Sequence, residues 1–212
     1  MRTNELPTTN AGAIDAIEVV GHTRQAFLLK ATLAAAATAG AAMLGPNVSR
    51  ALAQSDMGDV EILNYALTLE YLEADFYKQG RKLSLNDETK GIARVFGREE
   101  AEHVDALKKT IQQLGGTPVA EPTFKFPMTN QASFLKLAMT LEDTGVSAYN
   151  GAAIGIKSKE VLGAAGSIVQ VEARHAAVIR LLNDKPPAPR DFDVASEKDA
   201  VVKAITPLIA KS

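Results

Sequence analysis

The chain contains part of itself twice. Ala66-Leu67-Thr68-Leu69-Glu70 recurs as Ala138-Met139-Thr140-Leu141-Glu142, and Glu100-Ala101-Glu102-His103 recurs as Glu172-Ala173-Arg174-His175, each pair 72 positions apart. Tyr77 and Tyr149 keep the same offset, each seven residues beyond its glutamate. In both halves the step from the lone Glu to the Glu-x-x-His is 30 residues. A repeat of this length marks one supersecondary unit laid down twice, and two such units must bury their apolar faces against each other.

The unit reads as a helical hairpin. Val60, Leu63, Leu67, Ala74 and Tyr77 recur at three- and four-residue steps, with Glu70 in their stripe, and the polar stretch from Gly80 to Asn86 ends that run. A second helix is expected from about Asp87, taken as its N-cap. It places Ile92, Val95, Phe96, Leu107, Ile111 and Leu114 inward and stops at Gly115-Gly116. A third runs from about Asn130 through Phe134, Leu137, Leu141 and Tyr149 to the glycines near 151–155. Ser158 caps a fourth, with Leu162, Ala165, Val169, Ile179 and Leu182 inward, ending before Pro186-Pro187. Val201, Val202 and Ile205 suggest a short fifth helix, weakened by Pro207. Residues 117–130 hold three prolines and cannot be helical throughout. Strict apolar alternation is missing, which argues against an all-β fold. The expectation is an all-α antiparallel four-helix bundle whose second and third helices are joined by a crossover running its length.

Positions i and i+3 share one face of a helix, so Glu100 points with His103 and Glu172 with His175. A single Glu-x-x-His is usually a solvated surface pair. Two of them, repeating in register with Glu70 and Glu142, are not explained that way. Turned inward together, four carboxylates and two imidazoles would be costly unless cations lay among them. Two divalent ions match the four negative charges. This is the ligand pattern of di-iron and di-manganese carboxylate bundles. Oxygen-rich ligation with two imidazoles suits iron or manganese, not copper or a closed zinc site. With no cysteine among 212 residues, thiol catalysis, disulfides and Cys-held zinc or iron–sulfur clusters are excluded. His22, His103 and His175 are the only histidines. The net charge of −2 offers no basic surface for nucleic acid.

Across roughly residues 58–183 the chain resembles the ferritin-like superfamily. The segment Leu67-Thr68-Leu69-Glu70-Tyr71-Leu72-Glu73-Ala74-Asp75-Phe76-Tyr77 looks closest to the exported bacterial desiccation-related ferritin-like proteins. The resemblance implies metal ligands Glu70, Glu100, His103, Glu142, Glu172 and His175. Glu100 and Glu172 would bridge or chelate, and each histidine would cap one metal. Tyr77 resembles the tyrosine beside the metals of bacterioferritins and rubrerythrins. For Tyr77 and Tyr149 a role beside the metals and plain packing stand as equal alternatives. Glu73, one turn from Glu70, is an alternative ligand ranked below it because its repeat partner is Gly145. Glu99, Glu102 and Asp105 are expected at the surface or behind the ligands. The implied cofactor is two iron ions, or two manganese ions, with O2 or peroxide as the reacting partner. Fe(II) oxidation, peroxide reduction, a manganese-catalase-like activity and a stress-associated protein without turnover all remain open, as does a homo-oligomer.

Residues 1–53 read as a leader ahead of a ferritin-like domain at 54–212. Thr23-Arg24-Gln25-Ala26-Phe27-Leu28-Leu29-Lys30 precedes an apolar run from Ala31 to Leu44, and Ala51-Leu52-Ala53 fits a cleavage site. The apolar run is shorter than the ~20 residues of a membrane span, so no stable span is expected after cleavage. The leader resembles a twin-arginine signal with Gln25 at the second arginine. Twin-arginine and general secretory export are both open, and the mature protein is expected to be periplasmic or extracellular.

Overall fold

A computed structural model describes residues 58–210; the expected leader and its cleavage site lie outside the described residues. Four long helices fill most of this span: α1 (Asp59–Gly80), α2 (Asp87–Gln113), α3 (Gln131–Ala152) and α4 (Lys159–Leu182). A short α5 (Lys198–Ile205) follows, with 3-10 turns at Ala153–Gly155 and Thr206–Leu208. Among the described residues there is no strand and no helix long and apolar enough to cross a membrane.

Local chemistry sets the helix starts. The Asn86 side chain accepts from Thr89 N at 2.8 Å, so Asn86 caps α2 and Asp87 is its first helical residue. This corrects the expected cap by one position: an extended Asn86 frees its amide oxygen for the first-turn N–H groups, which Asp87, already helical, cannot do. Asn130 and Ser133 form a reciprocal capping box at α3, and Ser158 caps α4 as expected. At the end of α2, Gly115 turns left-handed at φ 77°, and Gly116 N returns to Ile111 O at 2.9 Å. This turn swings Leu114 outward, so it is exposed rather than inward. Val202 in α5 is likewise exposed, while Val201 and Ile205 are buried.

The bundle forms from two hairpins. α1 packs on α2 and α3 on α4, while α1 also meets α3 and α2 meets α4. α2 and α3 therefore stand on a diagonal. Asn64, near the start of α1, donates to Thr117 O and accepts from Val119 N; Gln79, near its end, donates to Phe124 O. Asn86 N then donates to Gln131 Oε1 where α3 begins. Residues 117–130 thus climb the whole of α1, about 22 Å at 1.5 Å per residue from Asn64 to Gln79, and deliver α3 parallel to α2. The crossover buries Phe124 and Phe126, and Phe126 packs edge-on against Phe76, which itself stacks on Phe134. Lys125 N bonds Leu208 O and Ala210 N bonds Thr123 O, so the C-terminal segment clasps the crossover.

Candidate metal centre

Each of the four long helices contributes to one buried cluster midway along the bundle. Glu70, Glu100, Glu142 and Glu172 are fully buried, and His175 nearly so. Two overlapping groups have ligand atoms all within 4.8 Å of one another: Glu70, Glu100, His103 and Glu172, and Glu100, Glu142, Glu172 and His175. All six sequence-predicted positions are brought together, and Glu100 and Glu172 belong to both groups.

The distances show what the cluster is shaped to hold. His103 Nδ1 lies 3.1 Å from Glu70 Oε2, 3.0 Å from Glu100 Oε2 and 3.0 Å from Glu172 Oε1. One nitrogen carries at most one hydrogen and cannot serve three acceptors. His175 Nδ1 lies 2.8 Å from Glu100 Oε1, 3.7 Å from Glu142 Oε2 and 3.9 Å from Glu172 Oε2. Yet His175 Nδ1, Glu100 Oε1, Glu142 Oε2 and both Glu172 oxygens lack an aligned hydrogen-bond partner. Buried polar atoms without partners are rare in native proteins. Here they converge on common points, and a cation at each point satisfies them together. The residues fit a dinuclear metal centre.

Two tyrosines tie the halves together. Tyr77 Oη donates to Glu142 Oε1, and Tyr149 Oη donates to Glu70 Oε1 at 2.5 Å. Each tyrosine grips the glutamate of the other repeat. Both phenols are held well above their usual pKa, first by burial and then by the carboxylate each one contacts, Glu142 or Glu70. They are hydrogen-bond donors that also pack in the core.

Two further carboxylates belong to this environment. Glu99 Oε2 lies 2.8 Å from His175 Nε2, the ring nitrogen facing away from the cluster. Glu99 thus lies behind a histidine, one of its two expected places. Glu73 is buried, and its Oε2 has no hydrogen-bond partner. It occupies space left by its repeat partner: a Cβ on Gly145 would come 3.0 Å from Glu73 Oε1. The repeat does not duplicate Glu73, so the sequence places it below Glu70; Gly145 opposite is the signal that its side chain has room inside. Glu102 is exposed, as is Asp105.

Electrostatics follow from this crowding. Burial, then Glu172, pushes Glu70 well above the usual carboxylate range; burial, then Glu172 and Glu142, does the same to Glu73. Burial, then Glu100 and Glu172, raises Glu142. Burial and then Glu100 raise Glu172. Burial also favours neutral Glu100, but the two adjacent imidazoles outweigh it and draw its pKa down to about 2. Burial disfavours charge on His103, yet Glu100, Glu172 and Glu70 push it up to about 12. His175 is raised in the same way against burial, by Glu100 and Glu172.

A duplicated bundle of two helical hairpins, with a diagonal crossover and a carboxylate–histidine cluster buried between them that could hold metal, defines a ferritin-like protein. A family model for the ferritin-like domain matches residues 58–185, and the chain belongs to that family. Among solved structures it is similar to a conserved hypothetical protein, rv2844, from Mycobacterium tuberculosis, at 19% identity and a TM-score of 0.54. That match covers 58% of this chain and 96% of the other and supports the fold alone. No curated protein matches the chain.

Proposed function

We propose that Glu70, Glu100, His103, Glu142, Glu172 and His175 hold a dinuclear iron centre that oxidises Fe(II) or reduces peroxide, in an exported protein of stress protection. Manganese is the alternative metal, since the same ligands accommodate it. The observation that carries this reading is the pair of overlapping buried groups sharing Glu100 and Glu172. Two such metals, when bound, supply one-electron couples within reach of O2 or peroxide.

The protein's own groups have definite tasks. Glu100 and Glu172, which belong to both groups, would hold both ions, while Glu70 and Glu142 would each hold one. Tyr77 and Tyr149 hold these outer glutamates in orientation from the opposite repeat. The apolar interior around them keeps bulk water away, so each carboxylate interacts strongly with charge placed beside it. Export rests on residues 1–53, and kinship with desiccation-related proteins on the Leu67–Tyr77 segment.

Metal analysis of protein purified from its native source, with no metal added, tests the reading. Two iron or two manganese ions per chain are expected, with consumption of O2 by added Fe(II) or of peroxide. Glu172→Ala should lose both metals, because Glu172 serves both positions. A Glu172→Ala protein holding two metals as tightly as the parent would overturn the dinuclear assignment. Stoichiometric metal without turnover would select the stress-associated, non-catalytic reading. N-terminal sequencing of the same preparation tests cleavage after Ala53; intact Met1 would refute it.

A further inference from the structure

The duplication supplies an internal control, because each ligand has a counterpart but its surroundings do not. Glu99, just before Glu100, is matched by Val171; Phe96 is matched by Ile168; Glu102 is matched by Arg174. The two histidines therefore meet different neighbours. Glu99 Oε2 lies 2.8 Å from His175 Nε2, and the Phe96 ring stacks on the imidazole with centroids 3.8 Å apart. The corresponding nitrogen of His103 has no hydrogen-bond partner among the described residues. Val171 offers no acceptor, and Arg174 is a donor only. The His103 side chain is 12% exposed against 3% for His175. Both rings line one surface depression of about 350 Å³ between α2 and α4, with Glu99, Val171 and Arg174 in its wall.

We propose that the two metal positions are unequal by construction: Glu99 is a positioning residue that makes the His175 position resident and leaves the His103 position exchangeable through this depression. The inference rests on the dinuclear reading above. Both imidazoles present Nδ1 to the carboxylates, so Nε2 is the outer nitrogen of each. A carboxylate accepting the outer N–H fixes the tautomer and ring orientation and makes the inner nitrogen a stronger donor. Loss of such a partner typically weakens metal binding ~10–100-fold. His175 has that partner and an aromatic ring across its face. His103 has neither, and its outer edge touches solvent.

The test is a Co(II) titration of the chelator-treated full chain at fixed pH, followed by visible absorption, with helicity checked by circular dichroism. The parent should bind two equivalents in two steps separated by roughly 10–100-fold, and a chelator should remove one equivalent quickly and the other slowly. Glu99→Ala should weaken the tighter step towards the weaker one. Glu99→Gln, which keeps an acceptor for the N–H, should restore part of the loss. Val171→Glu, which supplies His103 with the missing acceptor, should tighten the weaker step. Because Glu99 is about one-third exposed, its variants should fold and decide the matter even if Val171→Glu does not. Two equal steps in the parent, or a tighter step unmoved by Glu99→Ala, would overturn the inference and leave the dinuclear centre standing. Failure to bind any Co(II) would overturn both.

Discussion

Loading two divalent metals into this bundle should expel protons in quantity. The interior holds five carboxyl groups, Glu70, Glu73, Glu100, Glu142 and Glu172, with His175, and the half-buried His103 faces them. Two imidazolium ions balance two carboxylates, and Glu100 is the carboxyl drawn furthest down, to about 2. Neutrality then leaves protons on three of the others, and Glu70, Glu73 and Glu142 are the ones held well above the usual range. Two metals need both imidazoles neutral and Glu70 and Glu142 ionised, so about four protons should leave near pH 7 while Glu73 keeps its own. Each proton makes the apparent binding free energy more favourable by ~1.4 kcal/mol per pH unit. The sign for the chelated protein is opposite. Four carboxyls and both imidazoles have raised folded values, so their stabilisation is complete below the unfolded values and fades as pH rises through the folded ones, up to about 12 for His103. Only Glu100 acts the other way, its contribution being lost as pH falls towards about 2. Between pH 6 and 8 the chelated protein should therefore soften much more steeply than the metal-loaded one, which keeps only the Glu73 proton. Calorimetric titration in buffers of different ionisation enthalpy counts the protons, and thermal melts with and without metal follow the widening gap in Tm. Release of less than one proton, or a gap that narrows with pH, would refute the reasoning.

Other outcomes follow from single residues. Glu73→Gln should raise the Tm of the chelated protein at pH 8 and flatten its pH dependence, because an isosteric amide cannot add charge to the cluster; a lower Tm would show that Glu73 is held by favourable contacts. Tyr77→Phe and Tyr149→Phe should each destabilise by ~1–3 kcal/mol in urea unfolding, since each leaves a buried carboxylate oxygen without its donor. Gly151→Ala should destabilise by ~1–3 kcal/mol, because the new Cβ would fall 2.0 Å from the Ser196 carbonyl oxygen, a backbone atom that cannot swing aside. Gly163→Ala, in α4 with nothing within 4 Å of the added carbon, should instead stabilise by ~0.4–1 kcal/mol.

The parts of this molecule legible in the sequence were those the duplication wrote twice. Glu70 with Glu142, and the two Glu-x-x-His pairs, announced helices, facing and chemistry together, because only inward-turned helices make that spacing useful. The three prolines of residues 117–130 announced the crossover, since such a segment cannot close a tight helical turn. What escaped lay outside the repeat. Glu73 and Glu99 have no acidic counterparts, and their roles depend on a glycine across the core and on a histidine of another helix. The pairing of Thr123 and Lys125 with the C-terminal segment joins residues more than 80 positions apart with no periodic signal. Asn86 and Asp87 are both competent caps, and backbone geometry alone decided between them.

The seam on which the cluster lies has a consequence for how the molecule comes apart. The first group of ligands takes three residues from the leading hairpin and one from the trailing hairpin; the second takes one and three. Neither hairpin owns a complete set. A metal in either position would therefore be a crosslink between two units that otherwise adhere through side-chain packing and a handful of polar contacts, among them the two phenol–carboxylate pairs and Glu99 with His175. Separation of the hairpins has to break metal–ligand bonds before much surface is exposed, so occupancy should lengthen the lifetime of the folded state more than any single core contact does. Bound there, the ions would serve as rivets as well as reagents.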